Sequence, residues 1–205
     1  MPFFHTPMVT MRFVNLATIE LDLLFAPRAT IQGSMVDVHG VGVLICGESG
    51  IGKSETVLEL IERGYSLVSD DVTKMTLLDG REIVGTSSEL ARNHMEVRGI
   101  GIINVAAMFG AKSVRTEKRL DLVISLKAWK DVKDIDRLGM DEDHMRILGI
   151  KVRKISIPVR PGRNLARLIE VAALSTKLSA SGYNPARELN DRLIASMTSG
   201  KSSDK

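Results

Sequence analysis

The sequence predicts an α/β fold in which a mixed β-sheet is flanked by helices. Three observations lead to this prediction. The glycine-rich stretch GESGIGKS at 47–54 lies between an apolar, strand-like run and a helical pattern. Short runs rich in Val and Ile recur along the chain, as in buried strands. ETVLELIERG and LARLIEVAAL instead repeat apolar residues at helical spacing.

The first part of the chain is predicted to contain one helix and two strands. Residues 11–25 carry apolar side chains at helical spacing and stop before Ala26-Pro27, which predicts an amphipathic helix that docks on another surface. The strand-like runs SMVDV and VGVLIC follow, separated by the turn signal His39-Gly40.

The remaining elements follow from the same patterns. A helix after the glycine-rich stretch is expected to end at Gly64, a typical C′ glycine, and Asp79-Gly80 predicts a hairpin. The other predicted elements are strands at 65–71, 119–129 and 151–159, a mobile charged loop at 129–146, and helices capped by Asn164 and Asn184.

Composition narrows the class of protein. Hydrophobic residues make up 44% of the chain and charged residues 26%, and no apolar run approaches the roughly 18 residues of a membrane span. Cys46 is the only cysteine, which suits a reducing compartment, so we expect a cytoplasmic protein with no membrane partner. Aromatic residues are only 4% and are not interleaved with basic ones, so we expect no nucleic-acid partner despite the net charge of +3.

The stretch 47–54 matches G-x-x-x-x-G-K-[ST], which predicts a nucleotide or polyphosphate site. Glycines let backbone N–H groups turn toward phosphate oxygens, and the following helix adds a favourable dipole. Lys53 would reach the β- and γ-phosphates, and the Ser54 hydroxyl would bind Mg²⁺. The predicted nucleotide-binding residues are Gly47, Glu48, Ser49, Gly50, Ile51, Gly52, Lys53 and Ser54.

Asp70 and Asp71 end the next predicted strand, which we expect to run beside the phosphate-binding strand. Adjacent strand residues point to opposite faces, so the two carboxylates should have different roles. One would act as a base toward an acceptor hydroxyl and the other as a metal contact or structural acceptor. The alternative is that both only cap a turn.

Three arginine-containing segments are further candidates. In HMEVRGIGIINV, Glu96 would complete a magnesium shell, and Arg98 would bind phosphate or pair with Glu96; an exposed salt bridge is an equal alternative. Arg137 in DRLG could act as an arginine finger. DRLG also fits the D-x-x-G of GTPases, but no N-K-x-D follows. IPVRPGRN at 157–164 suits an anion site, although charged loops are usually only solvated.

These motifs, in this order, resemble HPr kinase/phosphorylase from about residue 7 to 197, and EVRGIGIINV is a signature of that family. The resemblance implies a cytoplasmic, hexameric enzyme that phosphorylates a serine of HPr with ATP or pyrophosphate in sugar regulation. It also implies the reverse phosphorolysis by inorganic phosphate. The implied fold is a P-loop kinase domain like that of phosphoenolpyruvate carboxykinase, with a mixed sheet, flanking helices and C-terminal helices.

The resemblance also implies a domain division. Family members usually carry an N-terminal domain, so residues 1–30 would be a linker helix left from a missing N-terminal domain. Residues 31–198 would be the kinase/phosphorylase domain, and 199–205 a disordered tail.

Individual roles are implied in the same way. Lys53 would contact phosphate, Ser54 and Glu96 would serve Mg²⁺, Asp71 would accept the serine proton with support from Asp70, and Arg137 would assist. The segment implied for both reactions is Glu96, Val97, Arg98, Gly99, Ile100, Gly101, Ile102, Ile103, Asn104 and Val105. The segment implied for dephosphorylation is Pro158, Val159, Arg160, Pro161, Gly162 and Arg163.

One position departs from the family pattern. Gln32-Gly33 stands where the family has His-Gly, and we count Gln32 among the catalytic candidates. Glutamine can hydrogen-bond to phosphate but does not titrate near neutral pH, so the reverse reaction would suffer if that position handles a proton. Two other functions fit the loop: a P-loop small-molecule kinase, and a nucleotide-binding sensor module with weakened catalysis.

Overall fold

The computed structural model of the chain describes residues 5–131 and 143–183, together with Glu188, Arg192 and Ile194. Its helices are α1 (Thr10–Phe25), α2 (Lys53–Glu62), α3 (Val105–Phe109) and α4 (Leu165–Ala180). Its strands are β1 (Arg28–Gln32), β2 (Ser34–Val38), β3 (Val41–Gly47), β4 (Ser66–Ser69), β5 (Val72–Leu78), β6 (Glu82–Thr86), β7 (His94–Val97), β8 (Gly101–Asn104), β9 (Glu117–Arg119), β10 (Leu122–Ala128), β11 (Asp143–Ile147) and β12 (Ile150–Val159).

The strands form two main sheets and one hairpin. The six-stranded sheet has the order β11-β12-β10-β3-β2-β4, in which β12, β10 and β3 are parallel. The four-stranded sheet, β1-β5-β6-β9, is antiparallel, and β7 pairs only with β8. The predicted mixed sheet with flanking helices is therefore confirmed.

The two faces of the six-stranded sheet bury different apolar clusters. Val43, Ile45 and Ile124 point toward α2 and α4, where they pack among residues such as Leu60 and Ile169. Their alternating neighbours, which include Leu44 and Val123, instead pack toward Met75 and Ile83 of the four-stranded sheet. The molecule is thus layered as helices, large sheet and small sheet, and period-two alternation along the strands supplies both interfaces.

The prediction that the strand ending at Asp70-Asp71 lies directly beside β3 is wrong. The strand that precedes Asp70 is β4, and it pairs with β2, which lies between β4 and β3. The reason is that β2 and β3 form a hairpin across His39-Gly40, which occupies that edge of β3 and leaves the far edge of β2 for β4. Two successive antiparallel pairings make β4 run in the direction of β3, so their C-terminal ends still share one edge of the sheet.

Other predicted elements are confirmed with one correction. The helices at α1, α2 and α4 form, and the Asn164 side chain caps α4 by accepting from the backbone N of Arg167 at 2.7 Å. The loop predicted at 129–146 is too long, because 143–146 belong to β11, which pairs with β12 across a turn at Leu148-Gly149. Arg137 and the helix start at Asn184-Pro185 lie outside the described residues.

Helix α1 and the strand after it bear on the predicted division at residue 30. No residue of α1 is buried within the described part of the chain. The predicted division at residue 30 falls within strand β1, which pairs with β5, and the division stays a prediction. Among the described residues, no helix is both long and apolar enough to cross a membrane.

Candidate functional site

The glycine-rich stretch 47–54 forms the turn between β3 and α2. Gly50 and Gly52 have φ angles of +82° and +101°, which glycine adopts without the steric cost of a Cβ atom. Gly52 directly precedes α2, and no side chain caps this helix end. The first N–H groups of α2 are therefore available to an anion, which the helix dipole also favours. The geometry suits phosphate, and the binding role of these residues stays a prediction.

Lys53 folds back across this turn. Its Nζ donates to the carbonyl oxygens of Gly47 and Glu48, each at 3.0 Å. Both acceptors are neutral, so a phosphate oxygen, which carries charge, would be a stronger partner for the ammonium. The side chain therefore lies where it can exchange two backbone contacts for contacts with a phosphate.

The two predicted acidic residues have different surroundings. Asp70 is half-buried: its Oδ1 accepts from the Ser34 hydroxyl at 2.7 Å and its Oδ2 accepts from the backbone N of Glu96 at 3.1 Å. Asp71 is exposed, with a left-handed φ of +58°, and its backbone N donates to the Ser34 Oγ at 3.2 Å. The Asp70 carboxylate is thus fixed in place by the hydrogen bonds that it accepts, whereas the Asp71 carboxylate is exposed and open to a substrate.

Burial raises the pKa of Asp70, against the opposing effects of the Ser34 hydroxyl and the backbone N–H groups of Glu96 and Asp71. The native state therefore binds more protons than the unfolded state at pH values from the ordinary Asp value of 3.8 up to the raised value. The contribution of Asp70 to the free energy of unfolding is present at low pH and declines as pH rises through that window.

We expect Asp70→Asn to remove this decline. The difference in unfolding free energy between wild type and variant should fall as pH increases above 3.8, measured by urea titration at a series of pH values. Asp143→Asn is a control of opposite sign, because a hydrogen bond from Lys154 lowers the pKa of Asp143. Equal pH slopes for wild type and Asp70→Asn would contradict the raised pKa.

Ser34 is a site residue that the sequence reasoning missed. It has no exposed surface, and its hydroxyl both donates to Asp70 and accepts from the backbone N of Asp71. A serine at the start of the strand-like run SMVDV, in which Asp37 is the only other polar residue, was the available signal, since a buried hydroxyl needs a polar partner.

We expect Ser34→Ala to lower the free energy of unfolding by about 1–3 kcal/mol, because Asp70 loses a hydrogen bond in a partly buried position. Chemical denaturation measures this change. Ser88→Ala is the matched control, since its hydroxyl accepts only an exposed bond from Ala91 N, and it should change stability by less than about 1 kcal/mol. Equal effects of the two substitutions would argue against a buried Ser34–Asp70 contact.

The β7–β8 hairpin contains most of the segment 96–105 and contacts both Asp70 and the glycine-rich turn. Glu96 N donates to Asp70 as described, and Arg98 Nη2 donates to the Ser49 Oγ of the glycine-rich turn at 3.1 Å. Arg98 therefore contacts the turn, whereas the alternative pairing with Glu96 does not form among the described residues. Asn104 ends the hairpin and caps α3 through Ala107 N at 3.0 Å.

Gln32 lies at the junction of the two main sheets. It is the exposed last residue of β1 and is opposite Val72, the residue after Asp71. The next residue, Gly33, donates its N–H to the Asp71 carbonyl at 2.7 Å. A methyl group on Gly33 would lie 3.1 Å from the Cys46 Sγ, so this junction also borders the end of β3. Gln32 is thus beside Asp71 and near the glycine-rich turn.

The segment 158–163 begins with the last two residues of β12 and continues past the strand at the same sheet edge. Ala128 of β10 is opposite Val159, and Leu126 is opposite Gly47, so the ends of β12, β10 and β3 lie side by side. The Arg160 guanidinium stacks on the Trp129 ring, and Arg163 Nη1 donates to the Pro158 carbonyl at 3.4 Å. The predicted anion-binding segment is thereby brought to the edge that holds the glycine-rich turn.

The residues suit a metal that is bound largely by the phosphates themselves. Within the described ranges, no three His, Cys, Asp or Glu residues converge to hold an ion. Mg²⁺ commonly takes one or two protein ligands, with substrate phosphates and water supplying the rest. Ser54 at the start of α2 and the exposed Glu96 stay the predicted ligands.

Comparison with known proteins gives consistent matches. The family described as HPr Serine kinase C-terminal domain matches residues 24–193. HPr kinase/phosphorylase from Thermoanaerobacter sp. (strain X514) is 47% identical over 190 residues, 93% of this chain and 62% of that protein. HPr kinase/phosphorylase 1 from Oceanobacillus iheyensis is 46% identical over 200 residues, 98% of this chain and 64% of that protein. The chain thus spans a little under two thirds of the length of these relatives.

A solved structure gives the same result for the fold. The Hpr(Ser) kinase/phosphatase from Coxiella burnetii superposes with a TM-score of 0.72 at 36% sequence identity, over 78% of this chain and 98% of that chain. The family match covers well over half of the sequence. The chain therefore belongs to the HPr serine kinase C-terminal domain family.

Proposed function

We propose that this chain is a serine kinase and phosphorylase that acts on the phosphocarrier protein HPr. Its relatives are named for both activities. The observation that carries the proposal is the hydrogen-bonded group of Ser34, Asp70 and Asp71, which lies at the same sheet edge as a glycine-rich turn suited to phosphate.

In the proposed kinase direction, residues 47–54 act as a P-loop that holds the phosphates of ATP or pyrophosphate, with Lys53 on the terminal groups. Asp71 takes the proton of the HPr serine hydroxyl. The serine oxygen forms a bond to the phosphorus, and the bond from that phosphorus to the leaving phosphate oxygen breaks. The Asp70 carboxylate keeps its hydrogen bonds to the Ser34 hydroxyl and the backbone N of Glu96, and so fixes the position of the adjacent residue Asp71. Bound Mg²⁺, on Ser54 and Glu96, would neutralise phosphate charge.

The proposed phosphorylase direction uses the same groups. An oxygen of inorganic phosphate attacks the phosphoserine phosphorus, the bond from phosphorus to the serine oxygen breaks, and Asp71 returns a proton to that oxygen. The products are serine and pyrophosphate. We assign residues 96–105 to both directions and residues 158–163 to the phosphorylase direction. Gln32 would donate a hydrogen bond to phosphate, and Arg137 would supply a further positive charge.

The finer assignments belong to the same proposal. We propose that the domain adopts a P-loop arrangement related to phosphoenolpyruvate carboxykinase, works in the cytoplasm and assembles as a hexamer. Analytical ultracentrifugation tests the last point, because a single monomer species at micromolar concentration would exclude a stable hexamer.

The test of the function is incubation with HPr, Mg²⁺ and either ATP or pyrophosphate, followed by intact-mass measurement of HPr. We expect one added phosphoryl group, and its loss with release of pyrophosphate when inorganic phosphate is supplied. HPr with its acceptor serine replaced by alanine is the control. Phosphate transfer to a metabolite instead would favour the small-molecule kinase, and nucleotide binding without any turnover would favour the sensor module.

A further inference from the structure

Trp129 lies beyond the residues that the proposed function uses. We propose that Trp129 is a positioning residue that holds the Arg160 guanidinium so that its N–H groups bind the incoming inorganic phosphate of the phosphorylase direction. The inference rests on the proposed function for the identity of the reaction.

The strand register brings the two residues together. Trp129 directly follows β10 and Arg160 directly follows β12, and the last residues of these parallel strands, Ala128 and Val159, are opposite each other. The carbonyl of Leu126 lies 2.9 Å from the place that a Cβ of Gly47 would take. Trp129 is the third residue after Leu126, so the pair lies at the same edge of the sheet as the glycine-rich turn.

The contact is a stack of a cation on an aromatic ring. The Arg160 Cζ lies 3.0 Å from the centroid of the Trp129 ring, and Trp129 is 42% exposed. A stacked guanidinium keeps its charge, and its N–H groups point outward in its own plane, where they match the spacing of phosphate oxygens. Stacking thus fixes the orientation of Arg160 without using its hydrogen-bond donors.

The neighbouring arginines differ in this respect. Arg98 donates to Ser49, and Arg163 donates to the Pro158 carbonyl. Among the described residues, the Arg160 side chain makes no hydrogen bond or ion pair, and its recorded contact is the Trp129 ring. Of these three arginines at the site, Arg160 is the one whose donors are all open to an anion.

The position of Arg160 indicates which phosphate it would meet. Along the sheet edge the order β12-β10-β3-β2-β4 puts Arg160 on one side of the glycine-rich turn and Asp71 on the other. The turn and Lys53 already provide for the phosphates of a bound nucleotide. Inorganic phosphate meets the same turn but lacks the nucleoside and the further phosphoryl groups that help to hold ATP, so an oriented cation beside the turn would lower the phosphate concentration that the phosphorylase direction needs.

Kinetics of the phosphorylase direction test this role with Trp129→Leu, Trp129→Phe and Arg160→Gln. We expect Trp129→Leu to raise the KM for inorganic phosphate about threefold to tenfold, the range of a cation–π contact, with kcat and the kinase KM for ATP within about twofold. Trp129→Phe should have a smaller effect. The double variant Trp129→Leu, Arg160→Gln should be no worse than Arg160→Gln alone, because one acts through the other.

A binding measurement without HPr separates this inference from the proposed function. Trp129 is the only tryptophan, so its fluorescence reports on the stack directly. Inorganic phosphate, but not chloride at equal ionic strength, should change the emission of wild type and of Arg81→Gln, which replaces an exposed arginine in the turn between β5 and β6, and should not change that of Arg160→Gln. An unchanged wild-type emission, a retained change in Arg160→Gln, or additive kinetic effects in folded variants would each overturn the inference. Absence of HPr turnover with the expected fluorescence result would contradict only the proposed function.

Discussion

Asp71→Asn is expected to lower phosphoryl transfer to HPr by about 10²–10⁴-fold and to leave nucleotide affinity within about twofold. The amide cannot accept the serine proton, which is the role proposed for the carboxylate. The substitution should not disturb the fold, because Asp71 makes its structural bonds through its backbone, to Ser34 Oγ and from Gly33 N. Asparagine also tolerates the left-handed φ of +58° at this position.

The measurements are steady-state transfer in both directions and nucleotide titration of the same variant. Asp79→Asn is a matched control, since Asp79 has a similar left-handed φ of +49° but lies in the hairpin turn between β5 and β6. It should retain wild-type turnover. If Asp71→Asn also retained turnover, the assignment of Asp71 as the base would be wrong, and a turn-capping role would explain the residue.

Lys53→Ala is expected to weaken nucleotide affinity by at least about tenfold and to slow both reaction directions by about a hundredfold or more. The ammonium supplies the charge that would hold the terminal phosphates where negative charge moves during transfer. The two hydrogen bonds that Lys53 makes to the carbonyls of Gly47 and Glu48 lie in a partly exposed turn, so their removal should cost little stability.

Isothermal titration with ATP and the two rate measurements check this result. Lys74→Ala, which removes an exposed lysine of β5, is the control and should leave both quantities near wild type. An unchanged ATP affinity in Lys53→Ala would argue against nucleotide binding by the glycine-rich turn. Reduced affinity with unchanged rates would instead place Lys53 in binding alone.

The prediction of elements succeeded where local chemistry dominates. The turn signal His39-Gly40, the cap at Asn164 and the glycine-rich stretch act over a few residues, and each appears where the sequence indicated. The error at β4 has a different origin. The pairing of a strand edge depends on competition between segments that are distant in sequence. Here the β2–β3 hairpin occupies the edge of β3 that β4 was predicted to pair with, and β4 pairs with β2 instead.

Ser34 illustrates the same limit at the level of the site. A single hydroxyl in a mostly apolar strand follows no spacing rule, and its role appears only because β2 lies beside β4, which brings Ser34 to Asp70. The contact between Trp129 and Arg160 likewise depends on the pairing of β10 with β12, which are separated by the 21 residues 129–149. Local patterns carry no information about such a distant pairing.

The sequence by itself determined the α/β class, the glycine-rich turn, the pair of adjacent acids and the family resemblance, because these are properties of residue order and short spacing. Only the tertiary structure decided how these pieces meet: β4 parallel to β3 with β2 between them, Asp70 held by Ser34 and Glu96 N, and Arg160 stacked on Trp129. The physical reason is that hydrogen bonding and burial between distant segments select one strand order among several that local propensity permits.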